Sequence, residues 1–221
     1  MKKLSLISLI ILTVFAFYSC EEDEEGSSIN NSFKDSRDGK TYKTVTIGDQ
    51  IWMAENLNYE TDTGSWFYKD EQTNEEVYGR LYTWEAAIEA CPTGWHLPTD
   101  DEWKELERFL EMSESNINGT SMTRGASVFI STHLKEVGTT HWQDSDYIDY
   151  MDNSTEFTAL PGGFRYSHVE YTGMRLFGYF WTSTEENATS AWVRVLHYDN
   201  FGIWRKTENK NSAISVRCIK D

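Results

Sequence analysis

The chain has 221 residues, 39% hydrophobic, 25% charged and 14% aromatic, enough for one sizeable domain with a dense core. Its formal net charge of −16 argues against a nucleic-acid binder, which needs a basic face, and against electrostatic adhesion to anionic lipid head groups. Setting aside the five acids of the Glu21–Glu25 run leaves −11 of that charge, so the body of the chain is itself acidic.

Lys2 and Lys3 open the chain with positive charge, and Leu4 to Tyr18 form an apolar run broken only by Ser and Thr. That grammar predicts a signal peptide over 1–19, since the run is too short for a comfortable membrane span. Ser19-Cys20 follows, then the acidic run. A cysteine behind a small residue resembles the lipobox of bacterial lipoproteins, although Phe17 and Tyr18 stand where an aliphatic and a small residue are usual. The resemblance implies a diacylglycerol on Cys20, a membrane anchor through that lipid, and an acidic signal for display on the outer face of the outer membrane. Residues 20–37 are acidic, Ser/Asn-rich and nearly without apolar side chains, so a flexible tether is expected, with the folded domain spanning 38–221.

Lys40 to Trp52 reads as two strands about a Gly48-Asp49 hairpin turn. Asn56 to Asp70 is polar and aromatic and reads as loop or irregular strand. Thr83 can cap a helix over Trp84 to Ala90, which Cys91-Pro92-Thr93-Gly94 then stops. Thr99 and Glu102 form a capping box ahead of a second helix, whose Trp103, Leu106, Phe109 and Leu110 are expected to face the core. From Thr155 onward short strands dominate, with turns at Gly162-Gly163, Gly173 and Gly178. The last two strands are expected over Ala191 to Leu196 and Ile214 to Ile219. Two early helices followed by many short, mostly antiparallel strands make the fold class α+β.

Apart from Cys20 there are two cysteines, Cys91 and Cys218. An even pair in an oxidising compartment predicts one disulfide, closing a loop that on the chain-entropy model restricts the unfolded state by about 4–5 kcal/mol.

Five motifs in order carry a wider resemblance. They are the run from Asp38 to Tyr59, Cys91-Pro-Thr-Gly-Trp-His-Leu-Pro-Thr with Glu102-Trp103, Leu160-Pro-Gly-Gly-Phe-Arg-Tyr, Gly178-Tyr-Phe-Trp-Thr-Ser-Thr, and the closing Ser215-Val-Arg-Cys-Ile-Lys-Asp. Residues 38–221 thereby resemble the Fibrobacter succinogenes major paralogous domain. The resemblance implies secreted or lipid-anchored bacterial proteins and a C-type-lectin-like fold, also used by formylglycine-generating sulfatase-modifying enzymes.

Those enzymes handle copper and oxygen with paired late cysteines, whereas Cys218 stands alone here, so no catalytic centre carries over. His96, His133, His141, His168 and His197 lack metal-ligand spacing, and the calcium and sugar triplets of lectins are missing. Glu185-Glu186-Asn187 and Asp199-Asn200 read as solvated loops. Neither a metal nor a cofactor is expected. In folds of this type the ligand face precedes the last strand, which directs attention to 197–210. The candidates there are His197, Tyr198, Asp199, Asn200, Phe201, Trp204, Arg205 and Asn209, a mixture of aromatics, amides and charges suited to recognition. The competing reading is a solvated hairpin with Phe201 and Trp204 folded inward.

The expected function is a surface-displayed, non-catalytic binding or adhesion domain for a glycan, a polymer or a protein. A structural or assembly component of the envelope, partnering fimbriae or a polysaccharide-uptake system, is the alternative, and a sulfatase-modifying enzyme comes third.

Overall fold

The computed structural model describes residues 31–167 and 170–221; the leader, Cys20, the Glu21–Glu25 run and His168 lie outside the described residues. In chain order the elements are β1 (Ser32–Lys34), β2 (Thr41–Ile47), β3 (Gln50–Met53), β4 (Ser65–Trp66), α1 (Gln72–Tyr78), β5 (Leu81–Tyr82) and α2 (Trp84–Ala90). There follow β6 (Trp95–His96), α3 (Asp100–Phe109), α4 (Glu114–Ile117), α5 (Ile130–Leu134), β7 (Gly162–Arg165) and β8 (Tyr171–Met174). The chain closes with β9 (Phe177–Asn187), β10 (Ser190–His197), β11 (Trp204–Asn209), β12 (Ile214–Ser215) and β13 (Ile219–Lys220). The architecture is α+β and rich in antiparallel pairs.

One sheet has the order β1-β2-β3-β13-β6, so strands from both ends of the domain lie side by side. The larger sheet runs β11-β10-β9-β12-β5-β4, with β7 paired to β8 and β9. β10 is its buried centre. Val193 and Val195 pack into one hydrophobic cluster with Met53, Tyr82, Trp181 and Val216, while Leu196 joins a second with Trp52, Trp103, Trp142, Phe157 and Phe180. The second cluster is aromatic at its heart: Trp103 lies 5.0 Å from Trp52, 5.7 Å from Phe157 and 5.8 Å from Phe180, centroid to centroid.

Local signals produce the elements they predict. The Gly48-Asp49 turn joins β2 to β3. Thr83 caps α2 by accepting from the Ala86 amide, and the Thr99–Glu102 box is complete at the head of α3. The Cys91–Cys218 disulfide is formed, with Cα atoms 5.9 Å apart, and ties the end of α2 to the segment between β12 and β13.

Three expectations are corrected. The chain joins the fold before Asp38: β1 pairs with β2, Phe33 packs 5.2 Å from Trp95, and buried Asp35 binds the Arg37 guanidinium at 2.7 Å. Phe109 is 58% exposed, because six residues beyond Trp103 a helix has turned about 120° away from the buried stripe. Glu107 lies on that stripe and is fully buried instead. The strand expected over Ile214 to Ile219 divides between the two sheets as β12 and β13, with Arg217 between them. Arg217 Nε donates to Asn56 Oδ1 at 2.7 Å, and its other nitrogens reach the carbonyls of Met53, Phe157 and Thr158. Between the two strands the main chain turns to the 53–57 segment, with the Leu57 amide donating to the Val216 carbonyl and the Met53 amide to the Cys218 carbonyl, each at 2.9 Å.

Candidate functional site

The loop between β10 and β11 is built as a rigid shelf. Ser131 Oγ donates to the Asn200 carbonyl at 2.6 Å and the Ser131 amide to the Phe201 carbonyl at 2.9 Å. Lys135 Nζ donates to the carbonyls of His197 at 2.6 Å and Asn200 at 3.0 Å, and Ser145 Oγ to that of Tyr198 at 3.2 Å. Asn200 Oδ1 accepts from the Gly202 amide at 2.6 Å. Gly202 is required by close approach, since a Cβ there would stand 2.7 Å from the Met122 carbonyl oxygen. Main-chain acceptors that would otherwise float are therefore satisfied, and the loop presents its side chains in one arrangement.

Phe201 is the outcome of that construction. Its ring meets Phe129 at 4.7 Å and 71°, Tyr147 at 4.4 Å and 89°, and Tyr150 at 5.3 Å and 86°. Phe129 and Tyr150 are nearly parallel, 15° apart with centroids separated by 6.3 Å. They are also 43% and 59% exposed. The four rings thus form a part-open aromatic group assembled from three separate stretches of chain. Phe129 is held at φ 52°, a left-handed conformation that bulky side chains rarely adopt.

The other candidates divide. The His197 ring is half-buried between Phe177 and Tyr198, each 4.6 Å away. Burial lowers its pKa and the Lys135 charge lowers it further. Tyr198 packs partly against the second hydrophobic cluster and Trp204 partly against the first, with Lys206 Nζ 4.9 Å from the Trp204 ring. Asp199 is exposed. Asn209 is exposed at the far end of β11, opposite Ser190, and is not brought together with the loop. Arg205 points into the interior, contrary to a role at the surface, and lies 3.5 Å over the Trp192 ring.

Arg205 belongs to a buried charge network. Its Nε and Nη2 both sit 2.8 Å from the carboxylate of Asp100, which also accepts from Arg194 at 2.7 Å and pairs with Lys104 at 2.9 Å. Arg194 Nε reaches Glu107 at 2.6 Å, and Arg124 grips Glu107 through two nitrogens at 2.7 and 2.6 Å. Burial alone would raise the Asp100 pKa, but Arg205, Arg194 and Lys104 together hold it well below the usual carboxylate range. Lys135 is different: it is fully buried, and burial pushes its amine down to about 7 against the opposing pull of Asp199. Both of its hydrogen bonds go to main-chain carbonyls of the loop, so it positions the shelf.

A separate depression of about 320 Å³ lies among β2, the 54–58 segment and α1, lined by Lys40, Lys43, Glu55, Asn56, Asn58 and Glu75. Its charges are partly internal, since Lys40 Nζ bonds the Asn58 carbonyl and stands 4.0 Å from Glu75. No motif of the chain points to it. Among the described residues no cluster of three or more His, Cys, Asp or Glu is arranged to hold a metal ion, and no helix is long and apolar enough to cross a membrane. Asn187 Oδ1 accepts from Thr189, and Glu185 pairs with Lys210 at 2.8 Å, which accounts for the carboxylate-amide cluster at the β9–β10 turn.

No curated protein and no solved structure matches the chain. The family model of the Fibrobacter succinogenes major domain matches residues 45–220, which takes in the larger sheet, the other sheet apart from β1 and the start of β2, the disulfide and the β10–β11 loop. The chain belongs to the Fibrobacter succinogenes major domain family.

Proposed function

We propose that the chain is a lipid-anchored, surface-displayed binding domain of C-type-lectin-like type that performs no catalysis, with the β10–β11 end as its ligand face. The anchor and the outward display rest on the leader, Cys20 and the acidic run after it. The lectin-like label rests on the order of the five motifs. Cys218 is bonded to Cys91, which takes the late thiol out of copper and oxygen chemistry. The observation that carries the ligand face is the Phe201 group: an exposed pair of aromatic walls beside a loop with four of its carbonyls, those of His197, Tyr198, Asn200 and Phe201, tied down. A face ordered in advance loses little freedom on binding.

The mature lipoprotein, probed against glycans, envelope polymers and envelope proteins, should show saturable binding that Tyr150→Ala weakens with the melting temperature unchanged. Binding indifferent to Tyr150, Phe129 and Phe201 would place the face elsewhere. Mass spectrometry of the mature N-terminus checks the anchor: an acylated Cys20 is expected, and an unmodified, freely soluble product would refute it.

A further inference from the structure

Elsewhere in the domain, four part-buried aromatic rings are partnered by the chain's own cations, whereas, among the described residues, the exposed Phe109 and Tyr166 are not. Arg37 lies 3.7 Å over Tyr59, Lys210 is 4.1 Å from Trp84, Arg165 4.2 Å over Trp66 and Arg205 3.5 Å over Trp192. Among the described residues no cation stands over Phe129, Tyr147, Tyr150 or Phe201, although two of these rings are the more exposed kind. The surrounding segments, 129–152 and 197–203, contain one lysine and no arginine, and that lysine is the buried Lys135. The same segments expose five carboxylates, Asp144, Asp146, Asp149, Asp152 and Asp199. Asp152 is partly answered by His133 at 3.2 Å.

We infer that the Phe201 group receives a lysine or arginine side chain projecting from a partner polypeptide. The inference rests on the reading of the β10–β11 end as the ligand face and names its ligand. Aromatic faces carry negative potential and attract a cation within about 6 Å of the ring centre. Here Phe201 meets two near-parallel walls at 71° and 86°, so several rings can act on one charge. The acidic rim draws in the rest of a basic segment and repels acidic polymers. A second copy of this chain, at net −16, is repelled by the same field.

The test titrates the detergent-solubilised full-length lipoprotein with a capped Gly-Arg-Gly-Arg-Gly peptide, with its citrulline twin, and with neutral oligosaccharides. The arginine peptide should bind one to one, and the citrulline twin roughly tenfold or more weakly. Tyr150→Ala should reduce arginine binding to the citrulline level, Tyr150→Phe should keep it, and neither should move the melting temperature. If the citrulline twin or an oligosaccharide binds as tightly and Tyr150→Ala still abolishes that binding, the face stands and the cationic ligand is wrong. Arginine binding that ignores Tyr150→Ala would overturn the face and the inference together. Failure of the arginine peptide to bind overturns the inference alone.

Discussion

Replacing Lys135 with methionine keeps the length of the side chain and deletes its charge. In the folded protein the amine is held at about 7, against an ordinary lysine value of 10.5. Between those values the unfolded chain carries a proton that the folded chain has lost, so wild-type stability should rise with pH from 7 upward. Below 7 both states are protonated and the gain is absent. The full span corresponds to about 5 kcal/mol, of which about 3 kcal/mol should be visible by pH 9. One group opposes it: against the effect of burial, hydrogen bonds to Asp221 and Glu102 raise the His96 pKa, so the stability His96 adds is lost as pH rises above 6.5. His197 has a lowered pKa, so its contribution is complete above its unfolded value of 6.5. Burial raises Tyr42 to about 12 and pushes Tyr179 well above the ordinary tyrosine value, so they cost stability only above pH 10. Urea unfolding at pH 6, 7, 8 and 9 with constant m-value reads the effect. Lys135→Met should flatten the profile. At neutral pH it should stay within about 2 kcal/mol of wild type, because relief of the buried charge offsets the carbonyl of His197 left unpaired. A Met variant whose profile runs parallel to wild type between pH 7 and 9 would refute the reasoning.

Three further outcomes are expected. Replacing Cys91 and Cys218 together with Ala should lower stability by about 2–5 kcal/mol in calorimetry, as the bridge spans 127 residues of sequence, and free thiols at both positions in native material would contradict the bond. Asp100→Asn should cost about 3–5 kcal/mol, since it strips the carboxylate from the buried guanidiniums of Arg194 and Arg205; a loss under about 1 kcal/mol would mean that the network is dispensable. Trp204→Ala should lower stability by about 2 kcal/mol or more while leaving ligand affinity intact, the reverse of Tyr150→Ala, and melting and binding measured on both variants separate packing from recognition.

What the sequence made legible was local. Thr83 and Thr99 announce their helices within four residues, and the Gly48-Asp49 turn fixes the first hairpin, because those hydrogen bonds close over short distances. Cysteine counting gave the disulfide. Long-range charge pairing was invisible: Arg194 finds Asp100 across 94 positions and Arg205 finds it across 105, and no spacing rule reports such a partnership. That is why Arg205 looked like a surface residue from its neighbours in sequence. Phe109 was misjudged because an apolar residue at the end of a helix was counted into the stripe without following its angle. The aromatic group around Phe201 was half legible. The stretch before the last strands pointed to Phe201, but Phe129, Tyr147 and Tyr150 come from loops whose approach depends on α5 and on the seating of 144–151.

The division between scaffold and face bears on how far family membership reaches. Trp95, Leu97, Trp103, Phe164, Trp181 and Arg217 belong to the five motifs, and each is at most 7% exposed. Interiors packed at crystal density tolerate little change in shape, so motifs of this kind are demanded by folding whatever the domain binds. The rings around Phe201, and the carboxylates beside them, fall in the intervals between the motifs, on segments where substitution disturbs little packing. Two members with the same interior can carry unrelated faces, and the ligand of one does not transfer to another by membership alone. For this chain the informative comparison is therefore the chemistry of its own loop end, four rings without a cation of their own above a single buried lysine.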